Sequence, residues 1–107
     1  MSVESAFNGL QVKMNVNPEE IQRLNAVYQF NLSEGKVYQV SFNDGHVNME
    51  NGEKLDPQCT LQLSDENVLK LIDGSFNTTM AFMTGKLKVT GDIGLALKLQ
   101  SALEKYK

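Results

Sequence analysis

Few side chains in this 107-residue chain could carry out covalent or metal chemistry. His46 is the only histidine and follows Asp44-Gly45, a dipeptide typical of tight hairpins, so we interpret it as a solvated strand residue and not as a catalytic base. Cys59 is the only cysteine and alternates with Thr60, which favours a small buried hydrophobe. One thiol can form no internal disulfide and cannot alone hold a zinc ion. The sequence therefore predicts no catalytic centre and no metal site. We do not expect this chain to be an enzyme.

The glycines near the C-terminus do not form a nucleotide-binding motif. Gly85, Gly91 and Gly94 lack the spacing of the dinucleotide fingerprint, and Gly85-Lys86 lacks the Ser or Thr that follows in a phosphate loop. We interpret these glycines as helix ends and expect no cofactor. Lys86 and Lys88 lie on one face of a predicted strand, where they could meet a carboxylate or phosphate group, although solvated edge lysines are the more frequent explanation.

Two apolar segments could instead bind an apolar ligand. The run Met80-Ala81-Phe82-Met83 is apolar on all sides, and the last predicted helix carries two apolar stripes. One stripe consists of Leu95, Leu99, Ala102 and Tyr106, and the other of Ile93, Ala96 and Leu97. A helix that is apolar all round must face apolar matter on more than one side. From the residues alone, ordinary core packing explains this pattern more often than a ligand does.

Alternation and capping residues predict the elements that position these segments. Period-two alternation predicts strands, and Asn17-Pro18, Ser64 and Gly91-Asp92 mark helix starts. We expect only the final turns of the last helix to be solvated. The predicted order is helices near 3–14 and 18–24, strands near 26–32, 37–42, 47–49 and 59–63, helices near 64–73 and 77–84, a strand near 87–90, and a helix near 92–106. This order predicts one α+β domain over residues 1–107, with a five-stranded, mainly antiparallel sheet covered on one face by about five helices.

Composition narrows the function classes further. Apolar residues make up 41% and charged residues 21%, as in ordinary globular domains, and a net charge of −3 gives no footprint for nucleic acid. The first ten residues do not resemble a secretory signal, the last four match no retention or peroxisomal address, and no apolar run approaches the roughly 20 residues of a membrane span. We therefore expect a cytoplasmic protein.

The segment Ala81–Leu99 reads AFMTGKLKVTGDIGLALKL. It resembles the signature of the sterol carrier protein-2 family, in which a Phe-Met-x-Gly-Lys-Leu-Lys segment is followed by Gly-Asx and Leu-Ala-x-Lys-Leu. The likeness continues upstream through the strands around Phe30 and Phe42 and the helix start at Ser64, so it covers essentially the whole chain. The resemblance implies a five-stranded sheet covered by helices, with an apolar tunnel that holds fatty acids, fatty acyl-coenzyme A or sterols.

With this resemblance, tunnel lining becomes the favoured interpretation of the apolar helices. An empty tunnel of roughly 400 Å³ would cost about as much as the stability of a whole domain, at about 24 cal/mol per Å³. The tunnel must therefore hold lipid or be closed by flexible side chains such as methionine. Our candidates for lipid-binding residues are Phe76, Met80, Phe82, Met83, Leu95 and Leu99.

The function predicted from the resemblance is a non-catalytic intracellular carrier of fatty acids, fatty acyl-coenzyme A or sterol-like lipids, held in an apolar tunnel between the sheet and the C-terminal helices. The alternative is an interaction module that presents lipid to a partner enzyme or forms a homodimer. Membrane contact through Phe7 and Leu10 of the first helix would be transient at most, since Lys13 is the only cation of that helix.

Overall fold

The computed structural model describes residues 2–106, apart from the side chain of Glu34. The chain begins with α1 (Val3–Val16), whose first turn is capped by the Ser2 hydroxyl, which accepts a hydrogen bond from the Ser5 backbone N–H at 3.1 Å. The second predicted helix is a single 3₁₀ turn over Pro18–Ile21. Proline at its first position suits a helical start, and the segment ends before it can form a full α-helical turn.

A five-stranded mixed sheet follows, and each predicted strand is present. The spatial order is β3-β2-β1-β4-β5, with β1 parallel to β4 and every other neighbouring pair antiparallel. The parallel pair requires a long connection between its strands, which β2, β3 and a polar loop supply. The strands are β1 (Ala26–Leu32), β2 (Val37–Asn43), β3 (His46–Asn51), β4 (Cys59–Leu63) and β5 (Lys88–Gly91).

The C-terminal part of the chain forms three further α-helices: α2 (Asp65–Ile72), α3 (Thr78–Met83) and α4 (Ile93–Glu104). The side chains of Ser64, Asn77 and Asp92 cap them, which satisfies backbone N–H groups that a helix start leaves free. Residues 2–106 thus contain four α-helices and two 3₁₀ turns, where the sequence predicted about five helices. The α+β class is confirmed.

The core lies between the helices and one face of the sheet. Phe7 of α1 packs on Phe30 and Tyr38, with ring centroids 5.1 and 5.4 Å apart. The opposite face is covered in part by residues 52–57 through two buried glutamines that the sequence did not mark as buried. The Gln39 side-chain N–H donates to Gln29 Oε1 at 2.9 Å and to the Leu55 carbonyl at 2.7 Å. Buried amides bonded in this way fix the loop to the sheet.

Helix α1 also occupies the outer edge of β3. The Asn15 side chain donates to the Val47 carbonyl at 3.0 Å and accepts from the Val47 N–H at 2.9 Å, and Gln11 Oε1 accepts from the Met49 N–H at 3.0 Å. These amides take the places that a further strand would occupy.

The expected solvation of the last turns of α4 is wrong. Ala102 and Leu103 are buried there, whereas Ile93 and Leu97 near the start of the helix are about half exposed. The reason is that the C-terminal end is held against the α1 region, where the Tyr106 hydroxyl donates to the Asn17 carbonyl at 2.6 Å. The exposed side chains of the first turns, Ile93 and Leu97, lie beside the short helix α3 and strand β5.

Candidate functional site

An apolar cavity of about 130 Å³ lies between α3, β5 and α4. Its position follows from local sequence, because Gly91 forms the corner that turns β5 into α4. A Cβ at residue 91 would collide with the carbonyl oxygen of Gln58, and the φ of +94° is one that other residues rarely adopt. The cavity is lined by Thr78, Thr79, Phe82, Val89, Ile93, Ala96 and Leu97.

Helix α3 forms one wall of the cavity and is held by few contacts. Only Thr78 and Ala81 of its six residues are buried. The Thr78 N–H donates to Gln100 Oε1 of α4 at 3.0 Å, which ties the start of α3 to its neighbour. Segments with little buried apolar surface open at low free-energy cost, and α3 is a segment of this kind.

The cavity wall contains one polar group without a partner. The Thr78 side chain is buried, and among the described residues its hydroxyl has no hydrogen-bond partner. An unsatisfied buried hydroxyl costs about 1–3 kcal/mol. It is therefore a group that a polar atom of a bound ligand could satisfy.

A charged groove of about 470 Å³ runs along the other side of Leu97. Arg23, Lys98 and Lys105 line it together with the carboxylate of Glu20. Leu97 lines both the apolar cavity and this groove, and the groove has an excess of positive charge. Such a pair of spaces suits a molecule with an apolar chain and an anionic end.

Buried polar groups join the sheet to α4 near its start. The Tyr28 hydroxyl donates to the Leu95 carbonyl at 2.7 Å, and burial raises the pKa of Tyr28, with smaller contributions from Cys59 and Asp92. Burial, assisted by the Asp92 carboxylate, raises the pKa of the Cys59 thiol to about 11. The thiol is therefore protonated at neutral pH and is a poor nucleophile, and its predicted place in the core is confirmed.

The six predicted lining residues do not lie together. Phe82 lines the cavity; Phe76 and Leu99 are buried in the core, and Leu95 is half-buried. Met80 and Met83 are on the surface, 61% and 79% exposed.

Sequence reasoning did not select the cavity residues of α4 and β5. The second apolar stripe of α4 and the alternation of β5 were the signals that pointed to them. The cavity residues outside the predicted set are Thr78, Thr79, Val89, Ile93, Ala96 and Leu97.

The described residues offer little else for chemistry. His46 is exposed on β3, as predicted. Within residues 2–106, no cluster of three or more His, Cys, Asp or Glu side chains is placed to hold a metal ion. None of the helices in that range combines the length and apolar character needed to cross a bilayer.

A mixed five-stranded sheet with helices on one face, and an apolar cavity beneath α3 and α4, defines a small α+β binding domain. The family model of the SCP-2 sterol transfer family matches residues 7–104. The chain therefore belongs to this family, whose fold is a lipid-binding and lipid-transfer fold and is generally non-catalytic.

Relatives and solved structures agree with this assignment. The chain is 32% identical to "Sterol carrier protein 2" of Rattus norvegicus over 89% of this chain and 18% of the relative, and 34% identical to "Hydroxysteroid dehydrogenase-like protein 2" of the same organism over 95% and 20%. It thus spans about a fifth of the length of these curated relatives. The solution structure of palmitated SCP2L2 from Aedes aegypti superposes with a TM-score of 0.74 at 24% identity, covering 96% of this chain and 95% of that chain, a likeness that concerns the fold.

Proposed function

We propose that the chain binds a single lipid between α3 and α4 and acts as a non-catalytic carrier of fatty acids, fatty acyl-coenzyme A or sterol-like lipids. The observation that carries the proposal is an apolar cavity beside a helix that buries only two of its six residues, next to a cationic groove that shares Leu97 with the cavity. The palmitated SCP2L2 of the same fold supports an acyl chain as cargo.

The cavity volume indicates how binding would proceed. A cavity of about 130 Å³ is near the size of an engineered apolar cavity, about 150 Å³, that holds benzene. An acyl chain of 16 carbons is several times larger than benzene and does not fit in this cavity. Binding therefore requires α3 to move outward. An enclosed dry space of roughly 400 Å³ would cost about 10 kcal/mol if left empty, so opening is coupled to filling.

Opening would extend the cavity toward the residues predicted from the sequence. Phe76 and Leu99 in the core and the half-buried Leu95 would then contact the acyl chain of the lipid. Met80 and Met83 would lie at the edge of the opening. Unbranched thioether side chains adapt well to such a change of shape.

The free energy available is large enough for useful affinity. Each buried methylene contributes about 0.8 kcal/mol, so a long acyl chain supplies on the order of 10 kcal/mol before the costs of ordering. A net value near 8 kcal/mol corresponds to a Kd of about 1 μM. The anionic end would lie in the groove lined by Arg23, Lys98 and Lys105, which favours carboxylates and phosphates over neutral lipids.

The test is native mass spectrometry of the purified chain, followed by extraction and identification of released lipid, and then addition of palmitate or oleoyl-coenzyme A to the delipidated chain. We expect a one-to-one complex with an acyl lipid. A clean mass with no uptake of palmitate, oleoyl-coenzyme A or a sterol at micromolar concentration would refute the carrier function.

A second candidate is a module that presents lipid to an enzyme. The observation that favours it is the relative named hydroxysteroid dehydrogenase-like protein 2, of which this domain is about a fifth. Association that persists after delipidation, measured by size-exclusion chromatography at several concentrations, would favour this candidate, as would dimerisation of the chain.

A further inference from the structure

Charge is distributed unevenly along the chain. Residues 1–73 hold five Lys or Arg against eleven Asp or Glu, whereas residues 74–107 hold five against two. The net charges are therefore −6 and +3 at neutral pH. The segment that contains α3, β5 and α4 is the basic part of an acidic protein.

The same segment carries the largest exposed apolar side chains. Met80, Phe82 and Met83 of α3 and Ile93 and Leu97 of α4 are all exposed. Phe82, Ile93 and Leu97 line one cavity, so α3 and the start of α4 present one surface, which we call the α3–α4 face. Exposed apolar clusters of this kind mark binding surfaces.

Cations flank the α3–α4 face on both sides. Lys86 shares a groove with Met80, and Lys98 shares one with Leu97. Among the side chains that the structure describes, neither lysine forms an ion pair, whereas Lys36, Lys54 and Lys70 each pair with a carboxylate. Two acidic groups also lie at this part of the molecule: Glu20 lines the groove with Lys98, and Asp92 caps α4.

The apolar stripe of α1 is not available for such contact. Val3, Phe7, Leu10 and Met14 are buried, which leaves Val12 and Val16 as exposed apolar residues of that helix.

We infer that the α3–α4 face is the surface through which this chain docks on anionic lipid bilayers. This deepens the proposed function, because a carrier must exchange its lipid with a membrane, and the cavity opens on the same face. Apolar side chains flanked by unpaired lysines are complementary to a bilayer with anionic head groups, where each lysine contributes about fivefold in affinity. A second copy of the chain would bring like charges together.

The experiment measures binding to vesicles of phosphatidylglycerol and phosphatidylcholine, against pure phosphatidylcholine, by flotation. Met80→Gln with Met83→Gln removes apolar surface but keeps good helix formers, and Val12→Gln with Val16→Gln is the matched control, since the two pairs are 61% and 79% against 63% and 80% exposed. We expect the affinity for the anionic vesicles to fall about tenfold for the methionine pair and less than about twofold for the valine pair. Lys86→Gln should lower affinity about fivefold, and Lys54→Gln should not.

Equal losses for the two apolar pairs, a larger loss for the valine pair, or equal binding to both kinds of vesicle would overturn the inference. So would a dimer that the methionine substitutions dissolve, in a chain that binds no vesicles. Palmitate uptake by the unmodified chain in vesicle-free buffer tests the carrier function separately, so either idea can fail alone.

Discussion

Replacing Ala96 with leucine adds three carbon atoms at a buried position of α4 that lines the apolar cavity. If the cavity is void, these atoms fill it, and their burial contributes about 2.4 kcal/mol at about 0.8 kcal/mol each. Restricting the leucine side chain costs about 0.5–1 kcal/mol. The free energy of unfolding should therefore rise by about 1.5 kcal/mol, which raises Tm by roughly 6–12 °C in a domain of this size.

The same substitution should weaken acyl-lipid binding at least about tenfold, because leucine occupies space that the chain needs. Ala6→Leu is the control, since Ala6 is buried in α1 and lines none of the cavities described above. Overpacking there should cost about 1–3 kcal/mol. Stability is measured by thermal and urea unfolding, and affinity by displacement of a fluorescent fatty acid. If Ala96→Leu destabilises as Ala6→Leu does, the reasoning about the void is wrong; if it stabilises without weakening binding, the lipid binds elsewhere.

Three further predictions follow from single groups. Thr78→Val should raise the free energy of unfolding by about 1 kcal/mol and weaken lipid binding, because it removes an unpartnered hydroxyl; a destabilised variant in urea unfolding would show that the hydroxyl has a partner. Arg23→Gln with Lys98→Gln should weaken palmitate binding about tenfold but hexadecanol binding little, and equal effects in titration calorimetry would contradict the cationic groove. The Cys59 thiol has a pKa raised from 9.0 to about 11, so its contribution to stability is complete below pH 9 and is lost as the pH rises to 11, by about 2–3 kcal/mol. The free energy of unfolding of Cys59→Ala should not show this decline between pH 9 and 10. A decline identical to that of the unmodified chain would contradict the role assigned to the thiol.

Local signals in the sequence were sufficient to locate the strands and the main helix starts. Alternation located all five strands, and Ser64 and Asp92 cap helices where the sequence placed them. The parallel pairing of β1 with β4 could not be predicted from residue patterns, because it joins segments distant in sequence. Gln29 and Gln39 lie on a face that alternation marks as polar, and only the loop folded over them makes them buried.

The candidate site was predicted less completely. A helical stripe states which residues share a side of a helix but not which neighbour covers them. Met80 and Met83 were therefore expected in a lining and are on the surface, while Ile93 and Leu97 were recognised as a second stripe without being selected. The cavity depends on how α3 lies against α4, a tertiary relation that no local pattern encodes.

The side-chain amides that α1 places along β3 protect the protein against aggregation through this edge of the sheet. Edge strands are where sheets of different molecules join and begin to aggregate. Here Asn15 and Gln11 already occupy the outer hydrogen-bonding groups of Val47 and Met49, so another chain would have to displace a helix to add a strand. With that edge protected, the exposed side chains of Met80, Phe82 and Met83 carry a lower risk of irreversible self-association.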